Sequence, residues 1–336
     1  MSPMWNIPGV RLSSVAAVLP AARVSNDDLV QAGGEREYVE RMSGIVGVAN
    51  RHVVTGGQMG SDLAVAAAAR VMEHEGWGPD DIDVLVVGTQ TPDRLFPGIS
   101  FTVHRALGLS TNCAVLDVNL GCSAFVYGAW MVATLVAAGA RRGMLVTADV
   151  MSRTLRPDDY GNRVLFGDAA AAIAFEADTG AGSLTASMAS DGRGETSVCL
   201  PGTAMTTGID EATGFHINGP AVLALALRSV PRMIDAALEH HGGSDVLLVP
   251  HQANEFILDK LRERLQWSDD RFVVAMREVG NTSSASIPLA LCSGDSRLDG
   301  DRGSVAMVGF GTGFSWGTVI CDLSRTALLG TALVDP

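Results

Sequence analysis

The sequence predicts an α/β protein built largely on parallel or mixed sheets, and three observations lead there. Four short runs are continuously apolar, as strands buried on both faces are. Between them lie segments whose apolar residues recur at helical spacing. Hydrophobic residues make up 47% of the 336-residue chain and charged ones 18%, enough for a large core and too apolar for disorder. Strands alternating with helices in this way form sheets covered by helices.

Taken in order, Ser61 to His74 is an alanine-rich helical pattern. Val84-Leu-Val-Val-Gly is the first buried strand. Tyr127 to Ala140, the longest apolar stretch, is too short to span a bilayer and suits a buried core helix. Met144-Leu-Val-Thr and Val246-Leu-Leu-Val are further strands. An amphipathic helix follows the latter, with Ile257, Leu258, Leu261 and Leu265 on one face and Asn254 as its N-cap. Val305-Ala-Met-Val is the last strand of this type.

The order of these landmarks repeats. Val84-Leu-Val-Val-Gly-Thr-Gln resembles Val246-Leu-Leu-Val-Pro-His-Gln, and Cys122 and Thr147 correspond to Ser283 and Val308 at almost the same offset. A constant spacing predicts two similar halves, 1–178 and 179–336.

Bulk properties narrow the functional classes. The formal charge is −13 and no basic cluster exceeds Arg141-Arg142, which argues against nucleic acid as a partner. The five cysteines, at 113, 122, 199, 292 and 321, are odd in number and form no CxxC. Neither a metal site nor a disulfide framework is signalled, and free thiols suit a reducing cytoplasm. The first residues lack the basic and apolar regions of a secretory signal, so a cytoplasmic protein without membrane attachment is expected.

Four windows carry chemistry. Cys122, in Asn119-Leu-Gly-Cys-Ser-Ala-Phe, falls between a strand and a helix, with Gly121 permitting a tight turn. A thiol at a helix start has its pKa lowered; a buried, inert cysteine is the other reading of that window. His251, in Pro250-His-Gln-Ala-Asn254, ends a strand and faces the crevice where α/β proteins bind ligands. A satisfied core histidine is the alternative. Asn281, in Val279-Gly-Asn-Thr-Ser-Ser-Ala-Ser-Ile-Pro, reads as a second strand-to-helix turn, in which an asparagine is commonly structural. Gly309-Phe-Gly-Thr-Gly-Phe-Ser-Trp-Gly317 lets backbone approach a reacting centre and present N–H groups to it. It has neither dinucleotide-binding nor phosphate-loop spacing.

Together, and with Leu165-Phe-Gly-Asp, these windows resemble β-ketoacyl-acyl-carrier-protein synthase III, from about Val10 to Leu323. The resemblance implies the thiolase fold, two tandem halves in a five-layered α-β-α-β-α arrangement, and a homodimer. It implies that Cys122 carries an acyl group, and that His251 and Asn281 bind the thioester carbonyl of a malonyl-type extender as it decarboxylates. The backbone N–H groups of Cys122 and Thr312 would form the oxyanion hole. Acyl-CoA and acyl carrier protein are the implied partners, with no bound cofactor. Tyr38, Arg41, Tyr160, Gly219, Asn254 and Phe96 are the implied substrate-binding residues.

Some positions depart from the family pattern. Met42 replaces an arginine beside Arg41, and Tyr38 and Tyr160 align with the residues that enclose the adenine of coenzyme A. Pro220 replaces an asparagine after Gly219, Phe256 an arginine that helps dock carrier protein, and Thr312 a glycine. The chemical core is kept while the delivery surface differs, which points to specialised metabolism. An acyltransferase on the same fold, with His251 as general base, is the alternative. The Cys, His, Asn order of papain-like proteases also occurs, but without that family's local sequence around the cysteine.

Overall fold

The computed structural model describes residues 2–201, 214–243, 245–300 and 303–336. The chain opens with β1 (Met4–Ile7) and β2 (Val10–Pro20). A small ribbon, β3 (Arg23–Ser25) with β4 (Asn50–His52), flanks helices α1 (Asn26–Gln31) and α2 (Arg36–Val46). Then come α3 (Gly60–Glu75), β5 (Val84–Gly88), α4 (Ile99–Ala106), β6 (Ala114–Val118), α5 (Ala124–Ala137), β7 (Arg142–Asp149), α6 (Tyr160–Leu165) and β8 (Ala169–Ala177). The second part holds β9 (Leu184–Ser190), the short pair β10 (Val198–Cys199) and β11 (His216–Ile217), α7 (Gly219–Arg228), α8 (Val230–His241), β12 (Val246–Pro250), α9 (Glu255–Leu265) and α10 (Ser286–Leu291). It closes with β13 (Ser304–Gly311), β14 (Ser315–Asp322) and β15 (Ala327–Val334).

Two large sheets result, β15-β2-β8-β7-β5-β6 and β1-β9-β14-β13-β12. The run β2-β8-β7-β5 in one has the same order and strand sense as β9-β14-β13-β12 in the other: two antiparallel pairings, then a parallel one. Where β6 lies parallel beside β5, the second sheet has a single parallel bridge, Leu248 to Phe272. The repeat expected from the sequence is therefore physical. Gly88 pairs with Thr147 in one sheet and Pro250 with Val308 in the other, equivalent rungs of equivalent ladders. The terminal strands are exchanged: β1 joins the second sheet beside β9 and β15 joins the first beside β2.

The continuous apolar runs are explained by burial on both faces. Val84 and Val86 point into a central core shared by the sheets, and Leu85 and Val87 into an outer core against α3. Likewise Val305 and Met307 face the centre while Ala306 and Val308 face outward toward α8 and α9. Between the sheets lie α5, whose Phe125, Val126, Ala129, Val132 and Ala133 are wholly buried, and α10, all six of whose residues are buried. A helix buried on every side needs apolar or small residues all round, as α10 has; α5 is exposed only in its last turn, at Thr134, Leu135 and Ala137. The layers run α3/α4, first sheet, α5/α10, second sheet, α8/α9. This is the thiolase fold.

Candidate active site

The site forms where the parallel strands of both sheets end, the usual ligand position in α/β proteins. Cys122 lies between β6 and α5. Opposite it, β13 ends at Gly311, where an added Cβ would stand 2.7 Å from the Cys122 Cβ and 3.1 Å from Sγ. Only glycine permits that approach. Gly121 has a different reason from the tight turn expected of it, because its φ is not in the left-handed region. A Cβ there would fall 2.6 Å from Gln90 Oε1 and 2.9 Å from Ser283 Oγ, so what the position requires is room.

His251 directly follows β12, and its N–H donates to Val308 O at 2.7 Å. Its ring is held at both ends: Nδ1 lies 2.6 Å from Ser286 Oγ, and the ring stands edge-on to Phe310 with centroids 5.6 Å apart. The strand-to-helix turn expected around Asn281 has only one parallel bridge, to Phe166, in place of the strand, and then leads through a 3₁₀ turn into α10. Asn281 donates from its backbone to Leu165 O at 2.9 Å and accepts from Gly167 N at 3.1 Å. Its Nδ2 donates to Ala253 O at 3.0 Å, and its Oδ1 accepts from Ser283 N at 2.9 Å. The amide is thus fixed in orientation and keeps one N–H.

The turn joining β13 to β14 carries Thr312. Ser315 Oγ donates to Thr312 O at 2.8 Å and lies 2.6 Å from Ser123 Oγ, which ties the turn to the start of α5. Among the described residues neither the Cys122 nor the Thr312 backbone N–H donates to another backbone carbonyl, and that of Cys122 is turned toward its own thiol. Asp149, wholly buried, accepts from Thr89 Oγ1, Gln90 N, Thr91 Oγ1 and Ser284 N at 2.9–3.1 Å, linking loops of both halves behind the site.

These groups line one cavity of about 340 Å³, which Cys122, Asn254, Asn281, His251 and Thr312 share with Gln90, Asn119 and Glu195. Its size suits a small-molecule site. Burial pushes the Cys122 thiol up to about 12; the Asp149 carboxylate adds to that shift, and hydrogen bonds from Ser283 and its own backbone oppose it. The direction is opposite to the lowering expected of a cysteine at a helix start: α5 begins two residues later, at Ala124, and lost solvation disfavours the thiolate. Burial also pulls His251 down to about 3. Both groups are neutral at pH 7.

Much of the chain is similar to known proteins. Residues 242–323 match the family described as 3-oxoacyl-[acyl-carrier-protein (ACP)] synthase III C terminal, and residues 116–192 match 3-oxoacyl-[acyl-carrier-protein (ACP)] synthase III. The β-ketoacyl-[acyl-carrier-protein] synthase III of Methylococcus capsulatus is 34% identical over 319 residues, covering 92% of this chain and 98% of that one. The chain belongs to the ketosynthase III family. It is accordingly a transferase. Among solved structures, a 3-oxoacyl-(acyl-carrier protein) synthase from Burkholderia xenovorans superposes with a TM-score of 0.92 at 27% identity, over 100% of this chain and 99% of that one. The priming β-ketosynthase of the R1128 polyketide pathway gives 0.83 at 26% identity, covering 94% and 96%.

Of the residues that the ketosynthase III resemblance implied, Cys122, His251, Asn281, Thr312 and Asn254 meet at the cavity. Asn254 also caps α9, accepting from Ile257 N at 2.8 Å. Gly219 lies elsewhere: it is the exposed first residue of α7, behind the N-cap Asn218, and the cavity wall is formed instead by Ile217 and Val222. Phe96 is 82% exposed on the loop before α4 and lines no part of this chain's cavity. Tyr38, Arg41 and Tyr160 are also outside it. Arg41 stacks on Tyr38, Arg163 stacks on Tyr160, and Tyr160 donates to Ala32 O at 2.7 Å.

Sequence reasoning gave no role to Gln90, Asp149, Ser283 or Ser286. The two serines stood inside the quoted Asn281 motif. Gln90 stood in the segment used to detect the repeat, whereas nothing local marks Asp149. Among the described residues no group of three or more His, Cys, Asp or Glu side chains could hold a metal, and no helix is long and apolar enough to cross a membrane.

Proposed function

We propose that this protein catalyses decarboxylative Claisen condensation of a Cys122-bound acyl group with a malonyl-type thioester. The observation that carries the reading is the convergence of Cys122, His251 and Asn281 on one cavity, whose wall also includes Thr312. Cys122 Sγ attacks an acyl thioester, the Cys122 and Thr312 N–H groups receive the charge on oxygen, and the donor thiol leaves with the cysteine's proton. The extender then takes its place. Its carbon–carboxylate bond breaks, carbon dioxide departs, and the electron pair moves into the thioester as an enolate. Asn281 Nδ2–H donates to that oxygen. With Ser286 Oγ–H bonded to Nδ1, the ring proton is on Nε2 and His251 is the second donor. The carbanion attacks the acyl carbonyl, the carbon–sulfur bond breaks, and the expelled Cys122 thiolate takes a proton from solvent water. Neutral donors aimed at developing charge in an enclosed site are each worth about 3 kcal/mol, roughly a hundredfold in rate.

Acyl-CoA and acyl carrier protein are the partners this reading requires. The two halves, 1–178 with the nucleophile and 179–336 with both donors, meet at the cavity, and a cytoplasmic homodimer is the state we assign. Phe256, 44% exposed on α9 where the family pattern has a docking arginine, supports specialised, polyketide-like metabolism over housekeeping fatty acid synthesis. The test is mass spectrometry of products from acyl-CoAs and a malonyl thioester, beside Cys122→Ala. A product lengthened by two carbons and absent with the variant is expected. An intact acyl group moved to an acceptor without loss of carbon dioxide would overturn the condensation.

A further inference from the structure

Gln90 follows β5 on a loop that cannot easily move. Its own N–H and the hydroxyls of Thr89 and Thr91 all donate to the buried Asp149. The backbone is thereby fixed, and the side chain is directed into the cavity. There the carboxamide has no hydrogen-bond partner among the described residues, although it is half-buried. Its Oε1 stands 2.6 Å from the point where a Cβ of Gly121, the residue before the nucleophile, would lie. Asn119, just past β6, adds a second side-chain amide at the wall, on an exposed residue that water reaches directly.

An amide that faces a cavity with free donor and acceptor sites is satisfied by water or by a ligand that replaces it. A plain hydrocarbon chain on Cys122 would displace that water and return nothing. A chain bearing a hydroxyl would replace it. The side of the site also matters: Gln90 and Asn119 extend from strands of the first sheet, beside Cys122, whereas the donors to the extender come from the second. We propose that Gln90 is a specificity-determining residue that selects acyl groups carrying a hydroxyl close to the thioester. This deepens the condensing-enzyme reading and rests on its acyl-enzyme.

The test pairs thioesters that differ only by methyl against hydroxyl: isobutyryl-CoA with lactoyl-CoA, and isovaleryl-CoA with 3-hydroxybutyryl-CoA. Acylation of Cys122 is followed by intact-protein mass, so that condensation is not required. In at least one pair the hydroxylated member should acylate with a kcat/KM about tenfold higher, the worth of one hydrogen bond. Gln90→Met, of similar length and without polar atoms, should bring that ratio below one. Because the native amide makes no bond within the protein, the thermal midpoint of the variant should match the wild type. Equal acylation within both pairs, preference for the methyl members, or an unchanged ratio in Gln90→Met would overturn the inference and leave the acyl-enzyme standing. Failure of all four thioesters to label Cys122 would overturn the acyl-enzyme reading, and this inference with it.

Discussion

Asn281 and His251 show how single side chains acquire a function from what restrains them. An asparagine free to rotate would donate to solvent as readily as to a substrate; here Ala253 O and Ser283 N occupy two of its groups and leave one N–H for the cavity. His251 is kept neutral by burial, and that has a measurable cost. Unfolded, the imidazole takes a proton near its ordinary 6.5; folded, only near 3. Between those values the unfolded chain binds more protons, so this contribution to stability is complete above about pH 6.5 and is lost as pH falls toward 3. Urea midpoints at pH 7 and pH 5 should therefore separate more in the wild type than in His251→Asn. Parallel behaviour of the two proteins would show that His251 is already protonated in the fold.

At the scale of elements, the loops after β5 and before α10 and the hairpin β13–β14 bring the chemistry together, and glycines decide how near they come. Gly121→Ala would drive a methyl group into Gln90 Oε1 and Ser283 Oγ. Acylation of Cys122 should fall by tenfold or more while circular dichroism stays that of the wild type; undiminished acylation would mean these groups yield freely. The buried strands were legible in the sequence because burial on both faces writes an unbroken apolar run, and His251 because it follows one; Cys122 and Asn281 were legible from their motifs instead, since β6 is an exposed edge strand and only one bridge stands before Asn281's turn. Asp149 was not, since its partners Gln90 and Ser284 lie 59 and 135 residues away. Gly219 and Phe96 do not line this chain's cavity, and a motif cannot say so in advance: it gives position along the chain, but whether a loop turns toward the cavity depends on contacts the motif does not contain.

For the whole molecule, the first sheet leaves β6 as an open edge. Leu116 on that strand is 42% exposed, and Phe101, Leu95 and Phe96 nearby are 55%, 61% and 82% exposed. An unprotected apolar edge is a template for pairing with another chain, and this supports the homodimer. Sedimentation should give a dimer for the wild type and a monomer for Leu116→Lys, since an edge lysine disfavours strand addition. A wild-type monomer at micromolar concentration would exclude it.

The exchange of β1 and β15 bears on how the protein is made as well as on how it stands. Thr326 donates to Leu12 across 314 residues, and β2 finds its parallel neighbour only in a segment synthesised long after it. Contacts so distant in the chain slow folding, because the entropy of closing the loop is lost before the pairing can repay it. During synthesis the edge of β2 stays uncovered until almost all the rest has emerged. The sheet that carries the nucleophile is therefore completed only after the half that carries its donors has been made, and a ribosome-bound chain ending before β15 should hold that sheet without its edge strand.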